Sequence, residues 1–198
     1  MSRKGSITTA EPLSFEDFNR LINALEMEKE YRWQLFCIVS FYFALRITDV
    51  RNLRWSEILN KNEVILTEHK TRKKCKPRRI PVKQDVRDMI AGIYQNMDSP
   101  DINQLLLYNP KNRAAYSIAH INESMRKFRD KYRIPIRNFS SHSFRKTFGR
   151  YVYEINNRSA ESLILLNAIF RHSSLEITKV YIGLRQDEIN SVYESIKF

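Results

Sequence analysis

Glu63-Val64-Ile65-Leu66-Thr67, then a strongly basic stretch, then Arg78-Arg79-Ile80-Pro81-Val82, decide the fold class of this chain. Each short run reads as a strand, and the basic stretch between them reads as a hairpin loop. Upstream the pattern is helical. Leu13-Ser14-Phe15-Glu16-Asp17 is a helix start: Ser14 can cap, Asp17 holds the capping-box acidic position, and Phe18, Leu21, Ile22 and Leu25 recur on one face. Tyr31 to Leu45 is apolar nearly all round, as expected of a central buried helix. Leu53, Trp55 and Ile58 continue helical patterning on a shorter element. Downstream, helices are predicted near 84–96, 117–131, 143–154, 160–170, 175–182 and 186–196. Asn109-Pro110-Lys111-Asn112 signals a turn, and Pro135 breaks the chain before the segment that carries His142. The expected fold is mainly α with a small antiparallel β-sheet, an α+β arrangement.

Composition points to a polyanionic partner. Lys and Arg number 34 against 22 Asp and Glu, a formal charge of +12. Excess charge of this size bears on partners and association rates rather than on fold. A nucleic-acid backbone is the commonest such partner, and binding to it is salt-dependent. With 198 residues, 42% hydrophobic, the chain can bury one substantial core, and its 4 Gly and 6 Pro disfavour disorder or a turn-rich all-β fold. The longest apolar stretch, Leu35 to Leu45, is too short to span a bilayer, which takes about 20 residues. No apolar run follows Met1-Ser2-Arg3-Lys4, so no secretory signal is read. Cys37 and Cys75 form neither a disulfide framework nor a zinc motif. A cytoplasmic protein with no membrane partner is expected.

The chemistry concentrates in the C-terminal third: His142-x-x-Arg145, Arg171-His172 and Tyr181. Together they supply two imidazoles, guanidinium groups and a phenol without an accompanying carboxylate cluster. Such a set suits an anionic phosphorus centre, with donors for the non-bridging oxygens and a hydroxyl to attack. Magnesium-dependent phosphoryl chemistry would want grouped Asp and Glu, so no metal and no cofactor is expected. His142 and Arg145, three apart, project from one side of a helix start, where backbone N–H groups also favour phosphate. Tyr181 alone would read as a core aromatic, and only the full pattern reverses that reading. Arg46 ends the most apolar stretch, and its guanidinium must find an acceptor there. An internal pair with Asp49, one turn on, is the simplest partner and is compatible with phosphate contact. Lys70, Arg72, Lys73, Lys74, Lys76, Arg78 and Arg79 crowd the hairpin and as a group are expected to touch DNA phosphates. Lys70 lies where the first strand leaves the sheet, so it can be aimed more reproducibly than the loop tip.

Four ordered boxes resemble the tyrosine recombinases, the phage integrase family. Ala44-Leu45-Arg46-Ile47-Thr48-Asp49, with Leu53 and Trp55 following, resembles the family's first-arginine box. His69-Lys70-Thr71 leading to Arg79-Ile80-Pro81-Val82 resembles its β-hairpin lysine box. His142-Ser143-Phe144-Arg145-Lys146-Thr147-Phe148 resembles its His-x-x-Arg box, and Arg171-His172-Ser173-Ser174 through Tyr181 its Gly-His…Tyr box, with Arg171 where the family commonly has Gly. The resemblance implies a catalytic domain over 13–198 after a polar tail at 1–12, without a complete N-terminal core-binding domain.

For function, the resemblance implies site-specific recombination of double-stranded DNA through a 3′-phosphotyrosyl intermediate. Tyr181 would be the nucleophile, with Arg46, Arg145 and His172 on the non-bridging oxygens. Lys70 would be the general acid, His142 would take the tyrosine proton, and Asp49 would orient Arg46. A dimer or tetramer on DNA, with accessory DNA-bending proteins, is the implied assembly. The alternatives are a type IB topoisomerase with the same chemistry and a non-catalytic DNA-binding regulator of the same fold. Ile189, Val192, Tyr193 and Ile196 give the final segment an apolar face, which either folds back on its own core or docks on a neighbouring protomer.

Overall fold

The computed structural model describes residues 10–67, 76–184 and 192–197. Helix α1 (Phe15–Met27) starts where Ser14 Oγ accepts from the Asp17 amide, and it buries Phe18, Leu21, Ile22 and Leu25. That face packs on α2 (Tyr31–Tyr42), whose unbroken buried run from Gln34 to Ser40 makes it the centre of the domain. Helix α2 ends three residues earlier than its apolar pattern suggests. Ala44 takes a left-handed φ of 49°, which turns the chain and leaves Arg46 as the N-cap of α3 (Ile47–Val50). The shorter helical pattern resolves into α3 and α4 (Trp55–Ile58), with Leu53 between them.

Strands β1 (Glu63–Leu66) and β2 (Arg78–Pro81) form the expected antiparallel hairpin, with Val64 opposite Ile80 and Leu66 opposite Arg78. Alternation sets its inner face: Val64 and Leu66 are buried while Ile65 is exposed. Helix α5 (Gln84–Asn96) follows, with Val86, Ile90 and Ile93 inward. A second, two-residue antiparallel pair, β3 (Tyr108–Asn109) with β4 (Ala114–Ala115), closes around the Asn109-Pro110 turn. Strands this short carry no readable alternation, so only the turn between them was visible in sequence.

Among the described residues the order continues with α6 (Ile118–Lys131), α7 (Ser143–Ile155), α8 (Ala160–Phe170) and α9 (Leu175–Tyr181). Helix α7 joins two apolar clusters. Phe144 meets Phe18, Phe36 and Phe139 in the main core, while Tyr153 belongs to a smaller cluster with Ala44, Leu166, Phe170 and Ile182. Among the described residues no helix is long and apolar enough to cross a membrane. Most of the predicted helix over 186–196 lies outside the described residues. Of its apolar face, Val192, Tyr193 and Ile196 are exposed.

Gly149 is where α7 meets the smaller cluster. A Cβ there would come within 2.7 Å of both Ile182 Cγ2 and Phe170 Cζ, each fully buried. Helix propensity alone would favour Gly149→Ala by about 1 kcal/mol, but overpacking a filled core costs roughly 1–3 kcal/mol. Net destabilisation is expected in a urea titration, and a more stable variant would show that the cluster has room.

Candidate active site

The last carbonyl of α8 organises the site. Helix α8 ends at Phe170 because Arg171 takes a left-handed conformation, φ 53° and ψ 46°. That turn leaves Phe170 O at the negative end of the helix dipole. Two guanidinium groups converge on it: Arg46 Nη2 at 3.0 Å and Arg145 Nη2 at 2.9 Å. Arg145 is 1% exposed, and its Nη1 donates to the Ala44 carbonyl. Its guanidinium carbon lies over the Phe170 ring, 4.7 Å from the centroid, and 6.0 Å from the centroid of Tyr181. Chain positions 44, 46, 145 and 170 are thus drawn together around two backbone oxygens.

Tyr181 ends α9, and its half-buried ring packs edge-on against Phe170 at 5.2 Å and His172 at 4.9 Å. His172 Nδ1 lies 3.1 Å from Thr178 Oγ1, and Asn167 Nδ2 donates to the same hydroxyl at 3.0 Å. Helix α9 therefore fixes both the phenol and the imidazole. Burial raises the Tyr181 pKa, while the charges of Arg145 and Arg46 and a hydrogen bond from Arg145 pull it down. The phenol is protonated at neutral pH, so an attacking oxygen needs a base.

His142 stands at the N-cap of α7, half-buried. Burial lowers its pKa, and the nearby charges of Arg145, Lys146 and Arg46 lower it further. It is therefore a neutral imidazole at pH 7, able to accept a proton. The sign for stability follows. Below the ordinary value, about 6.5, the unfolded chain binds this proton first, so stability drops as pH falls through the window beneath 6.5. His142→Gln should remove that component. Urea midpoints for the two proteins that fall in parallel between pH 7 and 5 would show that His142 is not the source.

Lys146 carries no mark of function in the sequence. It is 4% exposed, donates to the Ala10 carbonyl at 2.7 Å, and places Nζ 5.2 Å from the Tyr181 ring centroid. Its only sequence signal was a lysine set among the inward positions of α7. Asp49 is buried on α3, the turn that Arg46 caps.

The hairpin cations separate into groups. Lys70, Arg72, Lys73 and Lys74 lie outside the described residues. Lys76 is exposed. Arg78 turns inward, donating from Nη2 to the Phe43 carbonyl at 2.9 Å. Arg79 pairs with Glu63 across the strands at 2.7 Å. The structure thus brings Arg46, His142, Arg145, His172 and Tyr181 together, with Lys146 beside them.

The family model described as "Phage integrase family" matches residues 11–188. A probable integrase/recombinase, YoeC of Bacillus subtilis (strain 168), is 28% identical over 168 residues, covering 85% of this chain and 86% of that protein. The crystal structure of XerA recombinase superposes with a TM-score of 0.69 at 19% identity, over 100% of this chain and 68% of that one. XerH site-specific recombinase, in a post-cleavage complex with palindromic difH substrate, gives 0.68 at 16% identity, over 98% of this chain and 56% of its own. At these identities the structural likeness is one of fold.

Proposed function

Since this chain belongs to the phage integrase family, we propose that it is a site-specific DNA recombinase that cuts and rejoins strands through Tyr181. The carrying observation is the convergence of Arg46 and Arg145 on one carbonyl beside the Tyr181 ring. Each guanidinium offers five N–H donors, so each can hold position on that carbonyl and also meet a phosphate oxygen. In the proposed step Tyr181 Oη attacks the scissile phosphorus in line, and the bond from phosphorus to the 5′-oxygen breaks. The products are a 3′-phosphotyrosyl bond and a 5′-hydroxyl. Neutral His142 takes the phenolic proton, and Lys70 supplies the proton to the leaving oxygen. Arg46, Arg145 and His172 stabilise the charge that grows on the non-bridging oxygens. Asp49 orients Arg46. The phosphodiester energy is kept in the tyrosyl ester, so resealing needs no nucleotide.

Double-stranded DNA is the partner, met through the basic hairpin, with Lys76 exposed at its foot and the work sited at the nucleoid. The exposure of Val192, Tyr193 and Ile196 supports docking of the final segment on a second copy, in a dimer or tetramer on DNA. Accessory DNA-bending proteins fit the same assembly. A supercoiled plasmid carrying two copies of the recognition site separates the reading from a topoisomerase. Recombinant products dependent on both sites support it, whereas relaxation independent of sites with no recombinant overturns it.

A further inference from the structure

Arg171 occupies a conformation that its residue type disfavours. With φ at 53° a side chain crowds the backbone, and glycine would take the position freely. The side chain does something a glycine could not: its guanidinium Nη2 donates to the carbonyl of Lys76, 95 residues away, where the chain enters β2. A second tie runs from the same strand, Arg78 Nη2 to the Phe43 carbonyl at 2.9 Å. The two anchor points are not arbitrary. Phe43 precedes the Ala44 turn, whose carbonyl holds Arg145 and which leads to Arg46. Arg171 follows the Phe170 carbonyl, which holds both arginines, and precedes His172. The hairpin's foot is thereby fastened to both turns that build the site.

We propose that Arg171 is a positioning residue that holds the β1–β2 hairpin in register with the His172 turn, so that the hairpin's proton donor meets the leaving oxygen. The catalytic half of this rests on the reading given under Proposed function, while the mechanical half stands on the contacts alone. Arg171→Gly is the informative substitution, because it relieves the backbone while cutting the tie. A residue that served only stability would lose stability and activity together. Here the two should diverge. The urea midpoint of Arg171→Gly should be unchanged or higher, while amide hydrogen exchange in Arg78–Pro81 quickens and that in α8 does not.

Cleavage of ordinary DNA should slow roughly tenfold, the scale of one charge-assisted hydrogen bond. A substrate with sulfur in place of the 5′-bridging oxygen loses a thiolate that needs no proton, and on it the variant should match wild type. Arg171→Ala, which keeps the disfavoured backbone and also cuts the tie, should be less stable than Arg171→Gly and show the same cleavage defect.

Wild-type exchange in β2, or a cleavage defect that sulfur does not relieve, would overturn the proposal. If Lys70→Ala itself is not relieved by sulfur, the general-acid reading fails. The exchange measurement then still decides whether Arg171 ties the hairpin.

Discussion

Tyr181→Phe should give no covalent protein–DNA adduct at all, while its DNA affinity stays within about twofold of wild type. The substitution removes one oxygen and leaves the ring, and the ring is what packs on Phe170 and His172. Stability should therefore change by at most about 1 kcal/mol, the usual worth of one hydrogen bond. DNA affinity in this class of protein comes mainly from contacts to phosphates, and the phenol makes none before it attacks. The loss should thus fall on chemistry alone. Nicked duplexes that trap the cleaved state, run on denaturing gels, make the comparison. Adduct persisting in the phenylalanine variant would mean that another side chain attacks.

Arg145→Ala carries the second large effect, and it differs in kind. Cleavage should fall on the order of 10²- to 10³-fold, the scale for losing one donor to a developing oxyanion. Stability should fall as well, because the guanidinium is 1% exposed and its removal leaves the Ala44 carbonyl without that donor. An unsatisfied buried acceptor costs about 1–3 kcal/mol. Single-turnover cleavage measured well below the unfolding midpoint separates the two effects. Cleavage within a few-fold of wild type in a variant that unfolds earlier would reduce Arg145 to a packing residue. Phe170 O would still have Arg46, so the site should distort rather than collapse.

What could be read in advance follows from where the information sits. Helices α5 and α8 were legible to the residue, α5 through the recurring face of Val86, Ile90 and Ile93 and α8 through its apolar run Leu163-Ile164-Leu165-Leu166, which marks a helix without marking its buried side. The β1–β2 hairpin was legible because alternation and a charged loop are both local features. His142 and Arg145 were visible as a pair because three-residue spacing on a helix is itself geometry. The partners that hold the site were not visible. Arg46 donates to a carbonyl 124 residues away, and a backbone oxygen has no letter in a sequence. The end of α2 is hidden in the sequence for a related reason: Ala44 turns left-handed with no glycine to mark it. Lys146 was hidden by its type, since a lysine beside an arginine in a basic chain reads as surface until its burial is known. Charge alone groups Arg78 with the DNA-facing cations, whereas its place opposite Leu66 on β2 goes with an inward donor to the Phe43 carbonyl.

The central claim is that Tyr181 becomes joined to DNA, and it can be tested on the unmodified chain. Wild-type protein trapped on a nicked site, digested with trypsin and analysed by mass spectrometry, should carry the nucleotide on one peptide. Cleavage after Lys179 and Arg185 releases Val180-Tyr181-Ile182-Gly183-Leu184-Arg185, in which Tyr181 is the only hydroxyl-bearing side chain. A 3′-phosphoryl nucleotide on that peptide is the expected result. The same mass added to any other peptide, or a link through the DNA 5′ end, would contradict it.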